Sequence, residues 1–405
     1  TTLFRSKHGL TAIISIVAVL GILVLLNFIA DRQAVRWDLT KTKSYSLSDQ
    51  TVKVLEEINE QVDVRAFFSK SDANYEIAKD RLDHYSDLNR NIKVEFIDPD
   101  EKPSLAQQYN ITRYETTVFT MGDRTEETIG TAESDFTSAL LKLTKNERKK
   151  IYFLEGHNEK SIGEMTNESY SVLKEALDRE NYEVAALNLL TDGKVPEDAA
   201  VVVMAGPRVS LLENEVNALK DYLNNNGKLL ALIDPPSDLE ADLNFGSLFA
   251  DWGLELKSGW LIDSENYFMT DPGSPVVQQW ESHQITEGLP FVFFLRARGI
   301  AEKDVPENIT IEALAKTSGK SWLETDLASE QVIFNEGQDE AGPLNIAVAV
   351  SEQVESSEED KPTDGTRIVV IGDSDFASNI YSESLGNQDL LLNAINWLAQ
   401  DEELI

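Results

Sequence analysis

Apolar and polar residues along the chain follow three successive patterns. Residues 9–30 form an uncharged, mostly apolar run of 22 residues. At about 1.5 Å per residue, such a run makes a helix of about 33 Å, enough to cross a hydrocarbon core of about 30 Å. It is also longer than the apolar region of about 7 to 15 residues in a secretory signal peptide. We therefore predict an uncleaved transmembrane anchor helix at 9–30, preceded by an N-terminal tail at 1–8.

The second pattern, at 31–149, predicts a small α/β domain. Apolar residues over Val62 to Ser69 and over Ile92 to Asp100 predict two strands, and helical spacing over Tyr75 to Asn89 predicts a helix between them. This order indicates a parallel pair with a right-handed crossover. Two alternating runs around Gly122 predict a hairpin, and "SDFTSALLKLT" predicts a closing helix. The order resembles the thioredoxin fold, here without a CxxC motif, which leaves a scaffold or a binding surface.

The third pattern, at 150–405, predicts a larger α/β domain. Fully apolar runs such as "AAVVVMA" and "KLLALI" alternate with amphipathic helical segments. This alternation is typical of a parallel sheet that is covered by helices on both faces. The best-defined helix is predicted to begin with a capping box of Ser210 and Glu213. We interpret about 239–351 as an insertion with strands of its own, and 351–366 as a solvated acidic loop.

Composition narrows the classes of function. The chain has 71 acidic and 36 basic residues, a net charge of −35, so we do not expect it to bind nucleic acid. Because it has no cysteine, thiol catalysis and thiolate metal sites are excluded. Four histidines without an HExxH pattern argue against a zinc site. The sequence also lacks a GxxxxGK[ST] phosphate loop, so we expect no ATP hydrolysis by this chain, no cofactor and no metal.

Motifs along most of the chain resemble one family. The apolar run followed by "RWDLTKTKSYSLSDQT", the turn "FLEGHNEKS", and the closing "GDSDFASN" and "GNQDLLLNAINWL" occur in the order typical of the GldG-like gliding-motility auxiliary ABC-transporter family. The resemblance implies an accessory subunit whose partners are an ABC-2-type permease and a cytoplasmic ABC ATPase. It also implies a single anchor among the lipids of the cytoplasmic (inner) membrane, and a soluble extracytoplasmic body that guides an exported polymer or protein.

This resemblance gives the anchor helix a second role. One face of the helix should pack against the permease, and small residues on that face allow two helices to approach closely. Lysines and arginines occur on both sides of the anchor, so their count alone does not decide its orientation. The residues that we expect to contact the permease are Ala18, Gly21, Leu25 and Phe28.

The stretch "KLLALIDPP" bears on whether the chain is an enzyme. The region 150–405 resembles class I glutamine amidotransferase-like folds, in which a strand of this kind leads to the nucleophilic cysteine. Asp234 stands where that cysteine would be. Pro235 follows, where the chemistry needs a backbone N–H to stabilise an oxyanion. The resemblance therefore implies an amidotransferase-like scaffold without its acyl transfer.

Polar residues follow several predicted strands and form a candidate ligand pocket, because parallel sheets bind ligands outside the carboxyl ends of their strands. They are His157, Asn158, Glu159, Asp234, Asp373 and Asp375.

Three interpretations of these residues stay open. The acids can cap turns by accepting backbone N–H bonds, with His157 as a turn residue. They can instead line a pocket for a carbohydrate or a peptide. In the third interpretation Asp234 works with Asp373 or Glu159 in hydrolysis. We predict a non-catalytic accessory subunit, with a membrane-tethered carbohydrate-binding or hydrolytic protein as the alternative and a free-standing scaffold or sensor as a further one.

Overall fold

The computed structural model describes residue 21 and residues 47–144, 148–236, 243–326, 332–353 and 365–400. Of the predicted anchor, only Gly21 is described, as a helical residue; Ala18, Leu25 and Phe28 lie outside the described residues. Most of the predicted acidic loop, 354–364, lies outside them as well. Within the described ranges, no helix is both long enough and apolar enough to cross a membrane.

The chain divides into two compact units. The first consists of Thr1–Asp123 and Glu127–Glu133, and the second of Arg124–Glu126 and Ser134–Ile405. This boundary differs from the predicted one at 149, because the predicted closing helix of the small domain falls almost wholly in the second unit. Within that unit, Ser138 Oγ donates to the carbonyl of Arg179, and Lys142 Nζ lies 3.4 Å from the carboxylate of Asp178.

The first seven elements in chain order build a mixed four-stranded sheet and its helices. They are α1 (Asp49–Glu57), β1 (Val62–Phe67), α2 (Ala73–Leu88), β2 (Ile92–Ile97), α3 (Pro103–Gln108), β3 (Thr116–Met121) and β4 (Arg124–Ile129).

The predicted strand pairing in this part of the chain is confirmed. The strand order is β2-β1-β3-β4. β1 and β2 are parallel, with Val62 opposite Ile92, and β1 and β3 are antiparallel. Gly122 sits between β3 and β4 at a φ of +59°, a left-handed conformation that glycine adopts at little steric cost. A sheet of this order therefore follows from the crossover and the hairpin that the apolar pattern predicts.

The remaining elements belong to the second unit or begin at its boundary. They are α4 (Glu133–Thr144), β5 (Lys150–Leu154), α5 (Ser171–Arg179), β6 (Glu183–Leu187), α6 (Leu189–Asp192), β7 (Ala199–Ala205), α7 (Glu213–Leu223), β8 (Lys228–Leu232), α8 (Phe245–Ala250), β9 (Leu254–Leu256), β10 (Trp260–Asp263), β11 (Tyr267–Phe268), β12 (Asp271–Val277), β13 (Val292–Phe293), β14 (Ile300–Glu302), β15 (Ile309–Lys316), β16 (Ser321–Glu324), β17 (Glu340–Ala341), β18 (Asn345–Glu352), β19 (Arg367–Ile371) and α9 (Asn387–Ala399), with short 3-10 helices at Gln284–Thr286 and Asp375–Ala377.

The main sheet is parallel in one half and antiparallel in the other. Its described strands run in the order β6-β5-β7-β8-β19-β18-β14-β9, and β15 pairs with β18. The pairs from β6 to β19 are parallel, as predicted. β18 is antiparallel to β19, and β14 and β9 continue antiparallel. The segment interpreted as an insertion thus adds strands to the main sheet, besides forming two three-stranded sheets, β10-β16-β17 and β11-β12-β13.

The apolar core forms where the sequence predicts it, although one helix begins later. All five residues of β8 are buried, and the α7 stripe of Val216, Leu219 and Leu223 packs in the same cluster. The predicted capping box of Ser210 and Glu213 is wrong, because α7 begins at Glu213. Leu212 is the N-cap residue, and its backbone N–H donates to the carboxylate of Glu215 at 2.8 Å.

Candidate functional site

The parallel half of the sheet brings the predicted site residues to one edge. The order β6-β5-β7-β8-β19 reads 2-1-3-4-5, which is a doubly wound topology whose direction of winding reverses between β5 and β7. Ligands of such sheets bind outside the carboxyl ends of the strands near that reversal. The loops after β5, β7, β8 and β19 all leave from this edge, and those after β5, β8 and β19 carry the six predicted residues.

Asp234 links the ends of β8 and β19. Its carboxylate accepts the backbone N–H of Ser374 at 2.5 Å and the Ser374 hydroxyl at 2.7 Å. Burial, followed by the charge of Asp375, raises the pKa of Asp234 above its ordinary value, although the bonds from Ser374 oppose the rise. Both carboxylate oxygens of Asp234 are therefore occupied by Ser374, from the loop after β19.

Asp373 is fully buried and also holds backbone. One carboxylate oxygen accepts the N–H of Leu295 at 2.6 Å, and the other accepts the N–H of Asp375 at 2.7 Å. Burial, followed by the charge of Asp234, raises the pKa of Asp373 well above its ordinary value. Because Leu295 lies between β13 and β14, this side chain fastens the inserted segment to the end of β19.

Asp375 differs from the other two acids because its side chain reaches solvent. It is 43% exposed and forms an ion pair with Lys160 Nζ, whose own side chain is only 5% exposed. The backbone N–H of Lys160 donates to the carbonyl of Ala205 at 2.8 Å. Lys160 thus joins the loop after β5 to the end of β7 and, through Asp375, to the loop after β19.

Two further residues complete this strand-end network, which we define as Lys160, Asp234, Asp373, Ser374 and Asp375 with their partners. Arg298, from the inserted segment, donates from Nη1 to the Asp234 carbonyl at 3.4 Å, and from Nε and Nη2 to the carbonyl of Lys257 at 3.0 and 2.8 Å. Burial lowers the pKa of Arg298 to about 10, while the charge of Asp234 opposes the fall. Tyr170 donates its hydroxyl to the carbonyl of Ser374 at 2.5 Å.

His157 and Glu159 belong to a separate buried cluster with Glu215. The His157 ring approaches the Glu159 carboxylate through Nδ1 at 3.1 Å and the Glu215 carboxylate through Nε2 at 3.0 Å. Two such contacts need two N–H donors or a protonated glutamate, since a neutral imidazole has one N–H. The His157 carbonyl accepts the N–H groups of Arg208 and Val209 at 2.8 and 3.2 Å. The cluster therefore ties the loop after β5 to the loop that precedes α7.

Five of the six predicted residues fall into two groups in the structure. The strand-end network contains Asp234, Asp373 and Asp375. The buried cluster with Glu215 contains His157 and Glu159. Asn158, which lies between His157 and Glu159 in the chain, is exposed and adopts a left-handed φ of +60°. In the described ranges, no group of three or more histidine, aspartate or glutamate side chains is arranged to hold a metal ion.

Several residues of these networks were missed by the sequence analysis. Ser374 lies inside the motif "GDSDF", so an oxygen donor next to Asp373 was a usable signal. Arg298 and Glu215 gave none, because they are 64 and 58 residues distant in the chain from the groups they contact, Asp234 and His157. Their roles depend on the path of the inserted segment and on the start of α7.

Two family models match the chain. The model described as "ABC-type uncharacterized transport system" matches residues 148–394. A model described as "Domain of unknown function (DUF7088)" matches residues 41–132. No curated protein shows significant similarity to this sequence.

Solved structures with a similar backbone come from different functional classes. The mmIFT52 N-terminal domain has 17% identity and a TM-score of 0.43, over 62% of this chain and 97% of that one. A putative ThuA-like protein from Parabacteroides merdae has 14% identity and a TM-score of 0.35, over 63% and 91%. Malassezia sympodialis thioredoxin has 20% identity and a TM-score of 0.20, over 25% and 90%. Similarities this distant assign neither activity nor ligand to the chain.

Substitution of Gly206 by alanine should destabilise the strand-end network. Gly206 has a φ of +66°, and a Cβ there would lie 2.2 Å from Ser374 Oγ and 3.0 Å from an Asp234 carboxylate oxygen. We expect Gly206→Ala to lower the free energy of unfolding by more than about 2 kcal/mol, measured by urea denaturation. The control is Gly193→Ala, with a φ of +71° and open space around it, which should cost only about 1 kcal/mol. Equal losses in the two variants would contradict the assigned packing.

Replacement of Asp373 should flatten the dependence of stability on pH. A carboxyl group whose pKa is raised by folding contributes stability that is complete below its ordinary pKa of 3.8 and is lost as pH rises through the raised value. The free energy of unfolding of Asp373→Asn should therefore fall less than that of the unchanged chain between about pH 4 and pH 7. Asp221→Asn, at an exposed position of α7, is the control and should give a curve parallel to that of the unchanged chain. Parallel curves for all three proteins would refute the prediction.

Proposed function

Because the chain belongs to the family described as "ABC-type uncharacterized transport system", we propose that it is a non-catalytic, membrane-anchored accessory subunit of an ABC-2-type transport complex. The observation that carries the proposal is the match of the family model over residues 148–394, more than half of the 405 residues. The match supports an accessory role in an ABC transport system. Within the family, the motifs around "FLEGHNEKS" and "GDSDFASN" favour a GldG-like member.

The geometry at the strand ends supports a role without catalysis. Hydrolysis by a carboxylate pair needs one free acid and one free base next to a substrate. Asp234 is engaged by Ser374, and Asp373 holds two backbone N–H groups and has no exposure to solvent. Both carboxylates are thus engaged in hydrogen bonds within the protein, and a catalytic pair would have to give up such bonds.

We propose a fold type for each of the two compact units of the body. We infer a thioredoxin-like arrangement for the first unit, from the order β2-β1-β3-β4 with β1 and β2 parallel. For the second unit we infer an amidotransferase-like scaffold in which Asp234 replaces the nucleophile. In this proposal both serve as binding surfaces for an exported polymer or protein outside the cytoplasm. Residues 31–405 contain 34 basic and 71 acidic residues, a net charge of −37, which suits an aqueous surface.

The proposed anchor at 9–30 supplies the connection to the transporter. One helix in the lipid of the cytoplasmic membrane would lie beside the permease, and the separate cytoplasmic ATPase would supply the energy. The expected contact face consists of Ala18, Gly21, Leu25 and Phe28. Movement of the permease would then reach the body mechanically, through the anchor.

Copurification tests the proposed complex. The tagged chain is solubilised from native membranes in mild detergent, purified, and analysed for permease and ATPase subunits by mass spectrometry. We expect both partners to be recovered, and recovery to fall severalfold for a chain with Ala18→Leu and Gly21→Leu, because larger side chains separate closely packed helices.

The matched control is Val19→Leu, which enlarges a residue on the opposite side of a helix with about 3.6 residues per turn. It should leave recovery of the permease unchanged. Purification of the chain without either transporter subunit would argue for a free-standing scaffold or sensor instead.

A further inference from the structure

A cavity of about 620 Å³ opens beside α5 and the edge strand β6, away from the strand-end network. Its volume is within the range of about 300 to 1,000 Å³ that is usual for small-ligand sites. The apolar part of its wall includes Ile162, Met165 and Val184, and Met165 is 89% exposed. The cationic part includes Arg148, Lys174 and Arg179. None of the residues that line it belongs to the strand-end network or to the buried cluster of His157, Glu159 and Glu215.

The positive charges of this cavity are less neutralised than its negative charges. Asp178, in the wall, is paired with Arg148 and also with Lys142 at 3.4 Å, and Glu183 is paired with Lys150 at 3.5 Å. Both lysines lie outside the lining, and Lys150 is also paired with Asp198 at 2.9 Å.

Two cations of the wall remain for a ligand. Among the residues that the structure describes, Lys174 and Arg179 have no carboxylate within 4.0 Å, and Glu175 is the one acid of the wall in the same condition. The wall holds three basic and three acidic residues, so what it offers an anion is the pair of cations that are unpaired among the described residues, Lys174 and Arg179. Unpaired cations attract ligands of the opposite sign and raise their local concentration.

We infer that this cavity binds a small anionic ligand with an apolar part. Its phosphate or carboxylate group meets the ammonium of Lys174 and the guanidinium of Arg179, because charge-assisted hydrogen bonds to such groups are among the strongest in proteins. Its apolar part lies against Ile162, Met165 and Val184, where it covers side chains that are otherwise in contact with water. The ligand chemistry is the same whether the anion is a soluble molecule or the headgroup of an acidic lipid.

Binding of phenyl phosphate tests the inference, because this probe joins one phosphate to one apolar ring. The full chain is held in nanodiscs of phosphatidylcholine and titrated calorimetrically at low salt, with phenyl glucoside as the uncharged probe. We expect saturable binding of phenyl phosphate alone, weakened at high salt because exposed charges are screened. Lys174→Gln with Arg179→Gln should raise the Kd about tenfold or more.

Lys194→Gln is the matched control, because Lys194 is a 71% exposed lysine of the same unit outside the cavity. It should bind phenyl phosphate like the unchanged chain. Should the double variant fail to fold by circular dichroism, the two single variants take its place. Absence of saturable binding, or an equal Kd in the cavity variants and the unchanged chain, would overturn the inference.

Nanodiscs that contain phosphatidylglycerol separate the two sources of the anion. If the acidic lipid headgroup occupies the cavity, phenyl phosphate binding is lost in nanodiscs that contain phosphatidylglycerol and is kept in nanodiscs of phosphatidylcholine alone. If the ligand is soluble, the Kd for phenyl phosphate is the same in both lipids. Either result supports the anion site and identifies its source.

Discussion

The carboxylate of Asp234 and its two hydrogen bonds to Ser374 are the contact on which the strand-end region depends. They hold the loop after β19 against the loop after β8, at the edge where a doubly wound sheet is open to ligands. Other groups are placed by this contact. Gly206 must lack a Cβ beside Ser374, Tyr170 donates to the Ser374 carbonyl, and Arg298 reaches the Asp234 carbonyl from the inserted segment. A partly buried carboxylate is tolerated here because its oxygens are satisfied and cations lie near it.

Much of the fold could be predicted from local patterns. The apolar runs of β5, β7, β8 and β19 are continuous, as expected of strands that are covered on both faces. The parallel pairs from β6 to β8 follow from the helices between these strands. The turn at Gly122 could be predicted because glycine accepts a positive φ. These features depend on residues that are neighbours in the sequence, and therefore they can be read from it.

The parts that could not be predicted depend on contacts between distant residues. Four strands, β9, β14, β15 and β18, extend the main sheet from the segment that the sequence predicted only as an insertion with strands of its own. Nothing in the sequence set Glu215 apart from Glu213 as the acid at the start of α7, because its contacts with the Leu212 N–H and with His157 appear only in the structure. The acids Asp234, Asp373 and Asp375 lie just after β8 and β19. Their partners Arg298 and Leu295 were not predicted, since the inserted segment brings them there.

The most direct test of the account is the free energy of unfolding of two variants at Asp234. Asp234→Ala removes both acceptors and leaves a buried N–H of Ser374 without a partner, so it should cost about 1–3 kcal/mol. Asp234→Asn keeps one acceptor for that N–H and an amide that the Ser374 hydroxyl can accept from, so it should lose much less. This order of stability is the result that the account predicts. An alanine variant as stable as the unchanged chain would contradict it, because Asp234 would then have no structural role at the strand end.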